Sequence, residues 1–423
     1  MKNFQIEKYL NYYAEPEAFI FNNVVKEGLR GCLSSTWDRV VSVPICAEFE
    51  NIVKLLEGFC RSAEHARAKI LVLLVLNHRK TADQKTKEDN HKTWHFFSNK
   101  SSKCSQVYRS ESARFLLTEW KVGVDVLIVD KFSDGSELHV KQGVGLARKI
   151  GADIATMLCA YRLVHFPIIF NTDGDAQVGR DYFSLKEFDV FPGEADTYLN
   201  DFFHETPADM PFFQRKAIQV YESYMATYVH GLEEAGSPYA YHSLGSIIAT
   251  HVSAYVSVRG FPKRQAGEDF YLLNKLAKVG KIHRRSLSEP IILQARISRR
   301  VPFGTGPAIE KISSLLENGD DISSYQYDKR LFAALKSWLF AAYSFLQKHG
   351  DFKTVFLAQL DFFGLLPFES ALLKYLTDSG AIDALARADR CSECRIRAVK
   401  NFNDWFDAFR TMKLVHHVRS HIL

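Results

Sequence analysis

The sequence predicts an α/β protein built on a mixed, mostly parallel sheet flanked by helices, with a helical C-terminal extension. Three observations carry this. KILVLLVLN at 69–77 is an unbroken apolar run rich in branched residues, as in a strand covered on both faces. Strand-like and helix-like stretches alternate from 39 to about 180, the order expected of βαβ units. Beyond 310 only helical spacing is left, plainest in LFAALKSWLFAAYSFL and AVKNFNDWFDAFRTMKLV.

Taken in order, residues 1–38 read as a helical segment passing into loop, with Gly28 and Gly31 as breakers. RVVSVPI at 39–45 is the first strand. The helix after it follows from Ile52, Val53, Leu55, Leu56 and Phe59, which share one face. After the second strand, residues 78–110 turn polar with little periodicity and read as an irregular excursion from the carboxyl edge of the sheet. The sheet resumes with VDVLIVD at 124–130. A turn at Ser133–Gly135 leads to the helix in KQGVGLARKIGADIATMLCAY, and the strand in FPIIFNTDGDA follows. Residues 197–235 read as helical and aromatic. From 245 the chain gives a strand or short helix, a Gly-Phe-Pro turn, the acidic pair Glu268–Asp269, a helix ended by Gly280, and a strand in PIILQARISRR. The expected division is a segment 1–38, a main domain 39–310 and a helical extension 311–423. There are no internal repeats.

Composition narrows the function. The 423 residues suggest two or three domains, and 47% hydrophobic with 24% charged residues is ordinary for a globular protein. A formal charge of +5 does not argue for nucleic acid as a partner. The N-terminus carries charges and a proline where a signal peptide would have its apolar core, and no run reaches the roughly 18 apolar residues of a membrane span. Seven scattered cysteines read as reduced thiols, so the expected compartment is cytoplasmic.

The chemistry concentrates in a few places. Asp173 and Asp175 end a buried strand one residue apart, and two carboxylates on such a turn suit Mg²⁺ or Mn²⁺. A solvated Asx turn is the plainer alternative. Glu268–Asp269 opens a helix, where acids also complement the helix dipole. Arg148, on a helix begun by Gly143 and Gly145, has the charge to pair with a phosphate or with the aspartates, or simply to pack. Arg296, Arg299 and Arg300 precede a glycine-bearing loop and would suit a diphosphate. Cys391 and Cys394 form a single C-x-x-C, read as two thiols on a surface helix since the spacing fits no compact zinc site. The tail with Trp405, Phe406, Phe409, Arg410, Lys413 and Arg419 is either a packed amphipathic helix or a peripheral contact with a membrane or another subunit.

In this order the pieces resemble the GT-A type glycosyltransferases, in particular the inverting family 2 enzymes. VSVPICAEFENIVKLLEGF is similar to their opening strand and helix, GVGLARKIGADIA to their G-x-x-x-A-R-N-x-G segment with Lys149 in place of Asn, NTDGDA to their D-x-D, and RGFPKRQAGEDFYLLNKLAKVGKI to their acceptor segment with its ED pair. The resemblance spans 39–305 and implies transfer of a sugar from a UDP- or GDP-sugar to an acceptor hydroxyl, with Mn²⁺ or Mg²⁺ bound. It puts Pro44, Ala47, Glu48, Asn77, Gly145, Arg148, Asp173 and Arg300 at the donor, and Asp173 and Asp175 at the metal with His283 as a further candidate ligand. Asp269 would be the general base, with Glu268 beside it. His251 is a second candidate among the histidines. Asn77-His78-Arg79 departs from the family, which carries Asp-Asp or Asp-Gly there. The other class of function in play is a degenerate transferase fold serving as a nucleotide-binding or scaffold module.

Overall fold

The computed structural model describes residues 2–28, 36–99, 106–110, 113–185, 196–297 and 304–422. Its contacts divide the chain into two compact units, Met1–Asp209 with Ser243–Ala308, and Met210–His242 with Ile309–Leu423.

The first unit begins with helices α1 (Lys2–Tyr12) and α2 (Pro16–Gly28), then β1 (Arg39–Ile45), α3 (Phe49–Ala66) and β2 (Ile70–Asn77). Helix α4 (Gln84–Ser98), strands β3 (Gln106–Arg109), β4 (Arg114–Lys121) and β5 (Val124–Lys131), helix α5 (Val144–Ala160) and β6 (Ile168–Asn171) complete its first half. β7 (Thr197–Asn200) and β8 (Phe202–Glu205) precede the excursion into the second unit through α6 (Phe212–Glu234). The return brings β9 (Ile248–His251), α7 (Val252–Ser257), α8 (Glu268–Leu276), β10 (Ile282–Arg285) and β11 (Ile291–Gln294).

Among the described residues, nine strands form one sheet in the order β10-β7-β9-β6-β1-β2-β5-β4-β3, and β11 pairs with β8 apart from it. The central β6, β1, β2 and β5 are parallel, whereas β9, β4 and β3 run against their neighbours. β1 and β2 are buried along their whole length, which is why they read as unbroken apolar runs. Pro44 is tolerated in β1 because β6, which pairs up to Asn171 opposite Ser42, has already left the ladder where its missing N–H would point. Helix α5 is buried from Gly145 to Leu158. Its Asp153 accepts hydrogen bonds from the hydroxyls of Tyr9 (2.5 Å) and Tyr255 (2.9 Å), the Glu15 N–H (2.8 Å) and Lys149 Nζ (3.0 Å), which ties the N-terminal helices to the sheet domain.

Three stretches differ from the sequence expectation. Residues 78–110 hold α4 and β3 rather than an irregular loop. The buried stripe of α4 is Asn90, Thr93, Trp94 and Phe97, so half of a helical face is polar and the apolar period is hidden. Asp83 caps it by accepting from the Thr86 N–H at 2.8 Å. Residues 197–205 are two strands of four residues, too short for an alternation to show, and the helix begins only at Phe212. β4 lies in a stretch where no strand was expected.

The second unit is helical: α6 from the first passage, and then α9 (Thr305–Asn318, which crosses the boundary), α10 (Lys329–Leu346), α11 (Phe352–Phe362), α12 (Glu369–Asp378), α13 (Ala381–Arg390), α14 (Arg395–Trp405) and α15 (Ala408–Ile422). Its core gathers Leu232 and Ala235 with Leu335, Trp338, Phe402, Phe406 and Val415. The aromatic-basic tail therefore spans the end of α14 and the packed helix α15, with Arg410 over the Trp405 ring and Arg419 over Tyr327. Cys391 and Cys394 are exposed at the turn between α13 and α14 rather than on a helix. Among the described residues no helix is long and apolar enough to cross a membrane.

Candidate active site

At the carboxyl edge of the parallel strands, the turns after β1, β2 and β6 meet the start of α8 and the segment after β11. Ligands of open α/β sheets sit at this edge. The exit of β1 is held by a pair of asparagines. Ala47 takes a left-handed backbone (φ 54°), an uncommon state for a residue with a side chain, and its N–H donates to Asn90 Oδ1 at 3.0 Å. Asn90 Nδ2 donates to the Asn77 carbonyl at 3.0 Å, and Asn77 Nδ2 donates to Ile45 O (3.0 Å) and Val75 O (2.9 Å). The Asn77 amide is thus engaged with backbone and positions the two strand ends. Pro44 is buried inside β1 and shapes the turn from behind. Asn90 was not legible as a site residue, because the helix that carries it was not.

Glu48 is buried at the start of α3, where its Oε2 accepts from Asn51 Nδ2 at 2.8 Å. Gly174, between the two aspartates, lies against it: a Cβ there would stand 2.7 Å from Ile45 Cδ1 and 3.0 Å from Glu48 Cγ. The small residue lets the D-x-D turn close onto the mouth of β1. Arg296 bonds Glu48 Oε1 and, at 2.8 Å, Asp175 Oδ2. It is placed there because β11 is pinned to the same turn, Gln177 and Ile292 exchanging N–H···O bonds of 2.9 Å.

Beside this lies a second guanidinium. Arg148, buried on α5, bonds Asp173 Oδ1 at 2.5 Å and Glu268 Oε1 at 2.9 Å. The acidic pair at the start of α8 therefore shares a cluster with the D-x-D turn, although 120 positions separate Arg148 from Glu268. Asp269 Oδ2 accepts from the Gly245 N–H at 3.0 Å and its Oδ1 from the Phe270 N–H at 2.7 Å. Burial pushes the Asp269 carboxyl up to about 7, aided by the neighbouring Glu268 and opposed by the Phe270 N–H and Arg148. Burial by itself would lower Arg148, but Asp173, Glu268 and Asp269 more than reverse it, so the guanidinium stays charged. A half-buried carboxyl that ionises near neutrality can accept a proton from a hydroxyl at physiological pH.

Gly145 is packed closely at the start of its helix. A Cβ there would fall 2.6 Å from the Pro262 carbonyl and 2.7 Å from that of Arg264, so this chain's own backbone fills the space. His283 lies on β10 and bonds Asp196 Oδ2 through Nε2 at 2.9 Å. β10 is three strands from β6, roughly 14 Å at ordinary strand spacing, so His283 is not brought to Asp173 and Asp175. His251 pairs with Ile168 at the opposite end of β6. Arg299 and Arg300 lie outside the described residues.

The donor set suits a hard divalent cation of limited demand. Asp173 and Asp175 offer oxygens with side chains 38% and 18% exposed. Among the described residues no group of three or more His, Cys, Asp or Glu side chains could hold a metal. Two carboxylates with the remaining positions left to phosphate and water is the way Mg²⁺ is commonly held. Glu48, Asp173, Asp175 and Glu268 here meet two guanidiniums, those of Arg148 and Arg296.

No known family profile and no curated protein sequence matches this chain. Among solved structures it is similar to residues 1–349 of S. aureus TarS in complex with UDP and with UDP-GlcNAc. Both are 12% identical, cover 86% of this chain and 89% of theirs, and give TM-scores of 0.34 and 0.35. Longer TarS gives 0.35 over 86% of this chain and 55% of its own. Overlap at this level assigns neither fold nor activity here.

Proposed function

We propose that this chain is a glycosyltransferase that moves a sugar from a nucleoside-diphosphate sugar to an acceptor hydroxyl with inversion. What supports this reading is one observation: the D-x-D turn and the Glu268–Asp269 pair, far apart in sequence, converge on the guanidinium of Arg148. In this reading the nucleotide lies along the mouth of β1, with its diphosphate toward Asp173, Asp175 and Arg296. Asp173 and Asp175 would hold Mn²⁺ or Mg²⁺, which when bound neutralises charge on the leaving diphosphate. Asp269 takes the proton of the acceptor hydroxyl as its oxygen bonds to the anomeric carbon and the bond to the diphosphate breaks. Arg148 bonds Asp173 and Glu268 and tempers the rise in the Asp269 pKa, so that a fraction of the base is ionised at neutral pH.

The test is turnover of a panel of UDP- and GDP-sugars in Mn²⁺, read as release of the nucleoside diphosphate. One donor is expected to be cleaved by the wild-type chain, with Asp175→Ala and Asp269→Asn each lowering the rate by about 10²-fold or more. Wild-type rates in both variants would sink the mechanism.

A further inference from the structure

Arg296 is bonded to Asp175, one of the two carboxylates proposed to hold the metal. Its guanidinium bonds Glu48 Oε1 and Asp175 Oδ2 together, bridging the mouth of β1 and the D-x-D turn. Its side chain is 33% exposed, whereas Arg148 is buried at 4%. The two arginines therefore differ in freedom. Arg148 sits on a buried helix between Asp173 and Glu268, while Arg296 follows a four-residue strand and is partly in solvent.

Resting on the reading above, we propose that Arg296 is an internal counter-ion for Asp175 and Glu48, which a divalent cation arriving with a nucleoside diphosphate displaces. A carboxylate bonded to a guanidinium is a poor ligand for a bare cation, because binding must first break the ion pair. A cation that brings a diphosphate compensates for that loss, since the freed guanidinium can pair with the phosphate oxygens. Arg296 thus opposes metal binding when no donor is present and favours it when the diphosphate comes too. It is a positioning and ordering residue: metal and donor bind together, and without them Asp175 and Glu48 stay paired with Arg296.

The test separates these two effects by sign. Mn²⁺ is titrated into the full chain with free ion followed by electron paramagnetic resonance, without nucleotide and again with saturating UDP or GDP. Arg296→Gln is expected to bind bare Mn²⁺ about tenfold more tightly than the wild type, and to bind Mn²⁺ with the diphosphate about tenfold more weakly. Arg296→Lys keeps the charge but not the fork and should fall between the two in both arms. A shift of the same sign in both arms, or none, overturns the proposal while the transferase reading stands. If the wild type and Arg296→Gln bind neither Mn²⁺ nor a nucleoside diphosphate, both readings fail together.

Discussion

Arg148 and Lys149 are neighbours on α5, yet they anchor two different kinds of buried charge cluster. Around Lys149, Asp153 is engaged by Tyr9, Tyr255, the Glu15 N–H and Lys149 itself, and Asp153 and both tyrosines are buried at 1% exposure or less. Burial raises the Asp153 carboxyl, with Lys149 and the hydrogen bonds from Tyr9 and Glu15 opposing it. Around Arg148 the enclosure is uneven, with Glu268 buried at 4% but Asp173 38% exposed and Asp269 half-buried at the edge of the sheet. The same helix therefore closes one network against water and opens the next one toward it. Burying charge does not make a site; leaving one side of a buried cluster accessible does.

Breaking either cluster separates these roles, and the largest effects are expected there. Arg148→Ala and Asp153→Ala each leave a buried opposite charge unpaired, at a cost of about 3–5 kcal/mol in urea unfolding. Only Arg148→Ala is expected to lower nucleotide-sugar turnover per folded molecule, by about 10²-fold. Equal loss of turnover in Asp153→Ala would erase the distinction.

A pH series sharpens it. Asp269 must be ionised to act as a base, so kcat/KM should fall as pH drops through about 7, and Asp269→Asn should remove that limb. Arg148 lowers the Asp269 pKa, so Arg148→Gln should move the limb to higher pH. The stability sign follows from the same shift. A carboxyl raised above its unfolded value favours the folded state only while protonated, so its contribution is present at low pH and lost as pH rises through about 7. Asp269→Asn should therefore raise the melting temperature at pH 8 relative to wild type, and do so less at pH 4. A limb that survives in Asp269→Asn would assign it to another group.

The smallest effect belongs to Tyr9→Phe. It removes a hydroxyl that donates to Asp153 and accepts from Lys149 at 2.8 Å, and should cost about 1–3 kcal/mol with turnover unchanged. A loss of turnover would mean that the closed cluster reaches the open one.

What could be read from the sequence follows from what each residue had to face. β1, β2 and β5 are enclosed on both sides, so their apolar runs are plain; α4 hid its face behind Asn90 and Thr93. The acids of the site stood out as pairs, but their meeting at Arg148 depends on a long-range contact that no local pattern records. At Gly145 the chain's own backbone makes the close approach, and a glycine needed for such an approach looks the same in sequence whether a ligand or the chain itself arrives. The bonds that the Asn77 amide nitrogen donates to two backbone carbonyls are likewise not written in any local pattern.

The path of the chain through its two units has a practical meaning. Helix α6 leaves the first unit after residue 209 and contributes Leu232 and Ala235 to a core whose other members come from beyond residue 330. The C-terminal helices are therefore no appendix that a single cut removes. Deleting them would strand α6 with bare apolar side chains in the middle of the remaining polypeptide. A clean dissection needs two excisions, of residues 210–242 and of the chain from 309 onward.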